Sequence, residues 1–363
     1  MNKIKAVYIH IPFCNSICSY CDFCKVVYNS SWIKPYFERL EEEIDNAYLG
    51  EEIETIYVGG GTPSALNLEE MRELFKIIAR FKLSKNVEFT FECNLNDLTQ
   101  EKLEFLYKAG VNRLSMGIES FNKDKLKFMN REAEFKDAKE KIDLARRIGF
   151  KNINIDLMYA IPNEENKDLI KDLKLFLKLN PEHISTYSLM IEKNTLVGLN
   201  KIKPIEEERD SKMYYIICNT LKKSGYNHYE ISNFAKKGYE SRHNLTYWNN
   251  NEYYGFGCGA SGYVAAVRYE NTKSLTEYLK GNFISSKSLM SKIDNMENEI
   301  ILGFRKLEGI NLEDFFNKYN ENMQNVFPIK PLIKNGDLIY KEGRVYINPK
   351  KLYIMNEILI KLI

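Results

Sequence analysis

The sequence predicts an α/β protein built on a parallel sheet with crossover helices, curled part of the way toward a barrel. Two observations lead there. Six short apolar, β-branched segments alternate with amphipathic stretches of helical period, and that alternation calls for parallel strands joined by helices packed on the sheet. The residues with chemical potential, glycines and isolated charges, fall at the C-terminal ends of those segments, the edge where such sheets bind ligands.

The first strand is expected over Ala6 to Ile11, and Pro12, which cannot donate to a ladder, helps end it. Further strands are expected over Thr55 to Val58, Val87 to Glu92, Arg113 to Gly117, Ile153 to Met158 and His183 to Leu189. Between them, Tyr36 to Ala47, Leu68 to Arg80, Gln100 to Ala109, Phe135 to Ile148 and Asn166 to Leu179 carry helical periodicity. Six such units make an open, partial (β/α)6 barrel. After about Ser288 the pattern changes. Glu297 to Arg305, Leu312 to Tyr319 and Gln324 to Leu332 read as short helices or helix-like connections, and Leu338 to Lys341 with Arg344 to Ile347 as a hairpin around Glu342-Gly343. The expected division is therefore a core over 1–285 and a small winged-helix-like α+β domain over 286–363.

Composition narrows the class. A chain of 363 residues, 44% of them hydrophobic, builds a sizeable core. Fifty-two basic against 50 acidic residues leave a net charge of +2, which gives no electrostatic case for nucleic acid. No uninterrupted apolar stretch is long enough for a bilayer and no signal-peptide pattern opens the chain, so a cytoplasmic location is expected. Seven cysteines, four of them before residue 25, suit a reducing compartment.

Cys14, Cys18 and Cys21 directly follow the first strand, and three thiolates on one loop suit a cubane of four irons with one iron left open. Zinc would need a fourth ligand, for which Cys24 is the local candidate, and fits less well; disulfides fit least. Gly59-Gly60-Gly61-Thr62 follows the second strand, where glycines admit a ligand close to the backbone and exposed amides can hold a carboxylate or an ammonium. Glu92 ends the third strand, Glu119 the fourth, Arg131 is expected on the helix beyond it, and Asp156 lies within the fifth. A charge flanked by Ile155 and Leu157 is costly unless paired or functional. Taken singly, each of these charges is accounted for by an ordinary salt bridge; their order on successive strand ends points to a site.

The run Tyr8-Ile9-His10-Ile11-Pro12-Phe13-Cys14 through Cys21-Asp22-Phe23, followed by Gly59-Gly60-Gly61-Thr62-Pro63-Ser64, resembles the radical S-adenosylmethionine (SAM) superfamily. Within it, the chain looks like the oxygen-independent coproporphyrinogen oxidase family and the related heme chaperones, over nearly its whole length. The resemblance implies a 4Fe-4S cluster on Cys14, Cys18 and Cys21, and SAM chelating the open iron. An electron from the cluster would then cleave SAM to a 5′-deoxyadenosyl radical. It assigns Gly60, Gly61 and Thr62 to the SAM amino group, Tyr8, Tyr20 and Glu92 to the first SAM, and Glu119, Arg131 and Asp156 to a second. The chain departs from the oxidase branch at Glu119, where that branch usually carries glutamine; a carboxylate accepts but cannot donate as an amide does. It also carries Phe23 where that branch has an extra cysteine, while Cys24 reads as a spectator thiol.

Downstream, His243-Asn244-Leu245-Thr246-Tyr247-Trp248 resembles the His-Asn-x-x-Tyr-Trp signature of the chaperone branch, which implies heme binding with His243 as the iron ligand and Asn244, Tyr247 and Trp248 around the porphyrin. A histidine beside aromatics is, in isolation, more often a packed structural residue. Tyr254 to Gly262 resembles the glycine-rich stretch that closes over SAM in both branches. The implied activity is heme delivery to an apo-hemoprotein, such as a respiratory enzyme at the membrane, with peripheral membrane attachment and a cluster-dependent homodimer as family-level expectations. The competing expectation is radical decarboxylation of coproporphyrinogen III. The intact signature, Phe23, and a cluster motif beginning at Cys14 without the oxidase branch's N-terminal arm favour delivery.

Overall fold

The computed structural model describes residues 4–363. At its centre stand the six expected parallel strands: β1 (Ala6–Ile11), β2 (Glu52–Gly60), β3 (Lys82–Asn94), β4 (Arg113–Glu119), β5 (Asn152–Tyr159) and β6 (His183–Ser188). They pair in chain order. Helices α1 (Ser30–Ala47), α2 (Leu68–Ile78), α3 (Gln100–Lys108), α4 (Lys123–Met129), α5 (Phe135–Ile148) and α6 (Asn166–Leu179) occupy the connections.

The sheet is wider than six strands. Tyr254–Phe256 adds in parallel beside β1, while Asn233–Ala235 and Asn227–Glu230 add antiparallel beyond β6. Strands of three or four residues carry too few alternations to show a period, which is why the sequence pattern passes over them.

Alternation along each strand separates two faces. Val7, Ile9, Ile56, Val58, Phe89, Phe91, Leu114, Met116, Ile153, Ile155 and Ile184 are buried in one continuous core together with helix residues such as Leu74, Leu103 and Phe176. The intervening positions are polar and bond to one another across strands. Asn154 Nδ2 donates to Ser115 Oγ at 2.8 Å, and His183 Nδ1 donates to Asn154 Oδ1 at 2.6 Å. A polar group taken from water costs about 1–3 kcal/mol unless so paired, so this ladder makes a polar interior tolerable.

One expectation needs correction. Arg131 does not lie on a helix: α4 stops at Met129 because Asn130 takes the left-handed conformation at φ 55°, leaving Arg131 in the connection to α5. The stretch Gln324 to Leu332 falls on two short helical turns, Met323–Val326 and Ile329–Lys334, separated at Pro328, which has no amide to continue the ladder.

Lys292–Gly303 and Leu312–Tyr319 precede those turns, and the hairpin Leu338–Lys341 with Arg344–Ile347 forms as expected, its turn made by Glu342 and Gly343 at positive φ. Ile310–Asn311 adds a third strand. Ile284–Leu289 belongs to another small antiparallel sheet, with Ser261–Val264 and Val267–Asn271. Among the described residues no helix is long and apolar enough to cross a membrane.

Candidate functional site

The polar face of the sheet opens, at the C-terminal strand ends, into a cavity of about 480 Å³, within the roughly 300–1,000 Å³ usual for cofactor sites. Cys14, Cys18, Cys21, Tyr20, Gly60, Gly61, Thr62, Glu92, Glu119, Arg131 and Asp156 all line it. These residues span almost 150 positions of sequence, and the fold brings them to one place.

The cysteine loop is built first. Phe13–Cys14 pairs with Val26–Val27, which closes the loop at its base. Ser19 donates through its amide to Met129 O and through Oγ to Phe128 O, and Asn130 Nδ2 donates to Ile17 O at 2.8 Å, so the end of α4 holds the tip. Arg131 Nη1 donates to Cys18 Sγ at 3.1 Å, and Thr62 Oγ1 donates to Cys14 Sγ at 3.4 Å, a contact that favours the Cys14 thiolate. Burial opposes it more strongly, and the Cys14 thiol is pushed up to about 11. Among the described residues no three His, Cys, Asp or Glu side chains stand close enough to clasp one metal ion. The three cysteines nonetheless share one cavity, and three thiolates on one loop suit a cubane of four irons with one iron left open. The donor set therefore fits a 4Fe-4S cluster.

The glycine turn differs from expectation in what it offers. Gly60 N donates to Glu92 Oε2 at 3.0 Å, Gly61 N to Ile11 O at 2.8 Å and Thr62 N to Phe13 O at 2.9 Å. With these amides engaged, the turn has no N–H cradle for a carboxylate; its carbonyl oxygens suit a protonated amine. Glycine is required on steric grounds. Gly60 sits at φ 114° with any Cβ 2.7 Å from the His10 ring, and a Cβ on Gly61 would come 2.7 Å from the Pro12 backbone and 3.0 Å from Cys14 Sγ.

Carboxylates gather from the glycine turn across the following strands. Glu92 accepts from Tyr57 OH at 2.7 Å as well as from Gly60, while burial raises its pKa. Glu119 closes β4 at φ 67°, beside a register shift against β5; its Oε2 is buried without a partner and Oε1 stands 3.9 Å from Arg131 NH1. An orphaned acceptor in a cavity matches a ligand that brings donors, such as an amine or ribose hydroxyls. Asp156 accepts from Asn154 at 2.8 Å, yet burial, followed by the nearby Glu119 charge, lifts its pKa to about 7. Three acidic groups in one cavity favour a cationic ligand.

Tyr8 does not line the cavity; it stands behind it. Its hydroxyl donates to His10 Nδ1 at 3.0 Å, because His10 Nε2 is committed as donor to Cys24 O at 2.7 Å, and burial lowers that imidazole's pKa to about 4. Nor does the structure bring the segment 243–248 to the cavity wall. It forms a short helix, Arg242–Trp248, capped by Ser241. His243 is 1% exposed, with Nδ1 bonded to Thr55 Oγ1 at 2.9 Å and Nε2 to Tyr247 OH at 2.8 Å. Burial, then Arg113, lowers its pKa to about 3, so the ring is neutral and both nitrogens are occupied. Asn244 donates its backbone N–H to the capping Ser241 Oγ, and Trp248 packs under Arg305, its Nε1 buried without a partner.

Tyr57 joins the two regions and is absent from the sequence reading. Its hydroxyl reaches Glu92, while its ring lies 5.3 Å from that of His243. The signal was present in the alternation Thr55, Tyr57, Gly59 against Ile56 and Val58, which marks Tyr57 as inward. Tyr187 and Met190 were also missed; with Phe23 they form an exposed apolar rim at the cavity mouth.

Comparison with known proteins shows the family and the fold. Residues 8–176 match the model of the Radical SAM superfamily, and residues 290–352 that of the HemN C-terminal domain. The chain is 38% identical to the heme chaperone HemW of Lactococcus lactis, over 99% of this chain and 97% of that protein. It is likewise 38% identical to that of Bacillus subtilis, over 98% of both, and 35% identical to that of Escherichia coli, over 84% of this chain and 83% of that protein. Among solved structures, the coproporphyrinogen III oxidase HemN of Escherichia coli superposes with a TM-score of 0.87 at 22% identity, covering 99% of this chain and 89% of that one, a likeness of fold.

Proposed function

Because the chain belongs to the HemW heme chaperone family within the radical SAM superfamily, we propose that it binds heme and passes it to an apo-hemoprotein, from a body that also holds a 4Fe-4S cluster and SAM. The observation that carries this reading is the near end-to-end identity with heme chaperones of several bacteria. When bound, the cluster supplies a one-electron donor with an open iron. Cys14, Cys18 and Cys21 would hold it, the Gly60–Thr62 carbonyls and Glu92 would take the SAM ammonium, and Glu119, Arg131 and Asp156, the positions assigned above to a second SAM, would line the remainder of the cavity.

For heme, His243 is the proposed iron ligand, with Asn244, Tyr247 and Trp248 beside it. Its neutral imidazole is the correct form for ligation, and Nε2 becomes available when the Tyr247 hydroxyl swings away. An acceptor at the membrane, peripheral attachment there and a cluster-dependent homodimer complete the proposal.

An anaerobic optical titration of heme into cluster-loaded protein, beside a His243→Ala variant, tests it. A saturable spectrum that weakens or changes in the variant supports the reading. Equal binding by both proteins, or by neither, removes it, and turnover of coproporphyrinogen III then becomes the assay for the decarboxylase alternative, which the shared fold leaves open.

A further inference from the structure

Cys24 does not face the cavity that the other three loop cysteines line. Its sulfur lies 3.6 Å from that of Cys258, a residue 234 positions away in the glycine-rich stretch. The approach is built by the backbone. Gly259 sits at φ 80°, and a Cβ there would fall 2.3 Å from Cys24 Cβ, so only glycine lets the two segments touch. His10 holds the Cys24 carbonyl from one side, and Tyr36 OH donates to His10 O at 2.6 Å while accepting from Cys258 N at 3.0 Å, so one tyrosine anchors both walls. Carbonyl oxygens flank the pair, Thr272 O 3.1 Å from Cys258 Sγ and Lys273 O 3.4 Å from Cys24 Sγ. Cys258 is buried whereas Cys24 is half-buried, so solvent reaches one partner only.

We propose that Cys24 and Cys258 are a dithiol modification site, which a low-molecular-weight disulfide oxidises to an intramolecular bond stapling the cluster loop to the glycine-rich segment. Hydrogen bonding from Cys258, aided by Lys273 and Lys25, holds the Cys24 thiol below its ordinary value against burial, which marks it as the attacking sulfur. The Cys24 thiolate attacks oxidised glutathione, forming a mixed disulfide and releasing one glutathione thiolate. Cys258 loses its proton to that leaving group and attacks Cys24 Sγ, expelling the second glutathione. Two protein thiols are oxidised by two electrons, and one glutathione disulfide becomes two glutathione thiols. Forming the bond draws the sulfurs from 3.6 Å to the ~2.05 Å of a disulfide.

Cluster-loaded protein is incubated anaerobically with oxidised glutathione, quenched in acid, alkylated and mapped by mass spectrometry, with iron measured in parallel. The expected product is a linked peptide pair containing Cys24 and Cys258, two hydrogens lighter than the sum, with iron retained. The Cys258→Ser variant should stop at a glutathione adduct on Cys24. Four results would overturn the proposal: a stable adduct on wild-type Cys24 with Cys258 still alkylatable, a disulfide to Cys14, Cys18 or Cys21 accompanied by iron loss, both thiols unreacted, or no adduct on Cys24 in the Cys258→Ser protein.

Discussion

Tyr57→Phe separates the two jobs assigned to one ring. The substitution removes only the hydroxyl that donates to Glu92 at 2.7 Å and leaves the ring beside His243. A hydrogen bond to a charged group contributes about 1.5–3 kcal/mol, so without it the Glu92 carboxyl should titrate higher still. Burial already raises it, and Tyr57 is the foremost group opposing that rise. If the ionised carboxylate holds the SAM ammonium, SAM affinity at neutral pH should fall by about 10- to 100-fold, and the pH at which affinity is half-maximal should move upward. Anaerobic calorimetry across pH 6 to 9 on cluster-loaded protein reads both, while the heme titration should be unaffected because the ring remains. A weakened affinity with an unmoved pH midpoint would refute the reasoning, since it would show that the hydroxyl acts on something other than Glu92 ionisation.

Asp156, with a folded pKa of about 7 against 3.8 unfolded, binds more protons folded than unfolded between those values, so stability should fall as pH rises from about 4 to 7; Asp156→Asn should flatten that slope in denaturant melts. A cationic ligand beside Asp156 should expel its proton, so SAM binding near pH 7 should show an enthalpy that depends on buffer ionisation, and the asparagine variant should not. Alanine at Cys14, Cys18 or Cys21 should abolish cluster absorbance and iron, whereas Cys24→Ala, whose sulfur faces Cys258, should keep full iron; iron analysis after reconstitution decides both. Tyr247→Phe frees His243 Nε2 from a 2.8 Å hydrogen bond, worth about 0.5–1.5 kcal/mol, and heme titration should therefore show a roughly 2- to 10-fold tighter complex; weaker binding would mean that the hydroxyl contacts heme rather than guarding the histidine.

Local chemistry was enough to place much of this molecule. β1 begins and ends where Ala6 to Ile11 alternate and Pro12 interrupts, and α5 and α6 run over the residues their period marks, because each element buries one stripe and the stripe is written in the order of residues. Cys14, Cys18, Cys21 and the glycine turn were legible for the same reason: short spacing on one loop already constrains what the loop can hold. Arg131 was misplaced because a left-handed asparagine ends α4 without glycine or proline to announce it.

What sequence determined by itself is thus the local part: the strand and helix order, the three-thiol loop, and the strand ends on which Glu92, Glu119 and Asp156 ride. Only the tertiary structure decided the rest. It turned Cys24 toward Cys258, engaged the glycine amides, hid His243 between Thr55 and Tyr247, and set Tyr57 between Glu92 and that histidine. Each of these depends on which side chain meets which across strands or segments up to 234 positions apart, and a hydrogen bond at 3 Å is set by packing between elements, for which no periodicity within one element carries information.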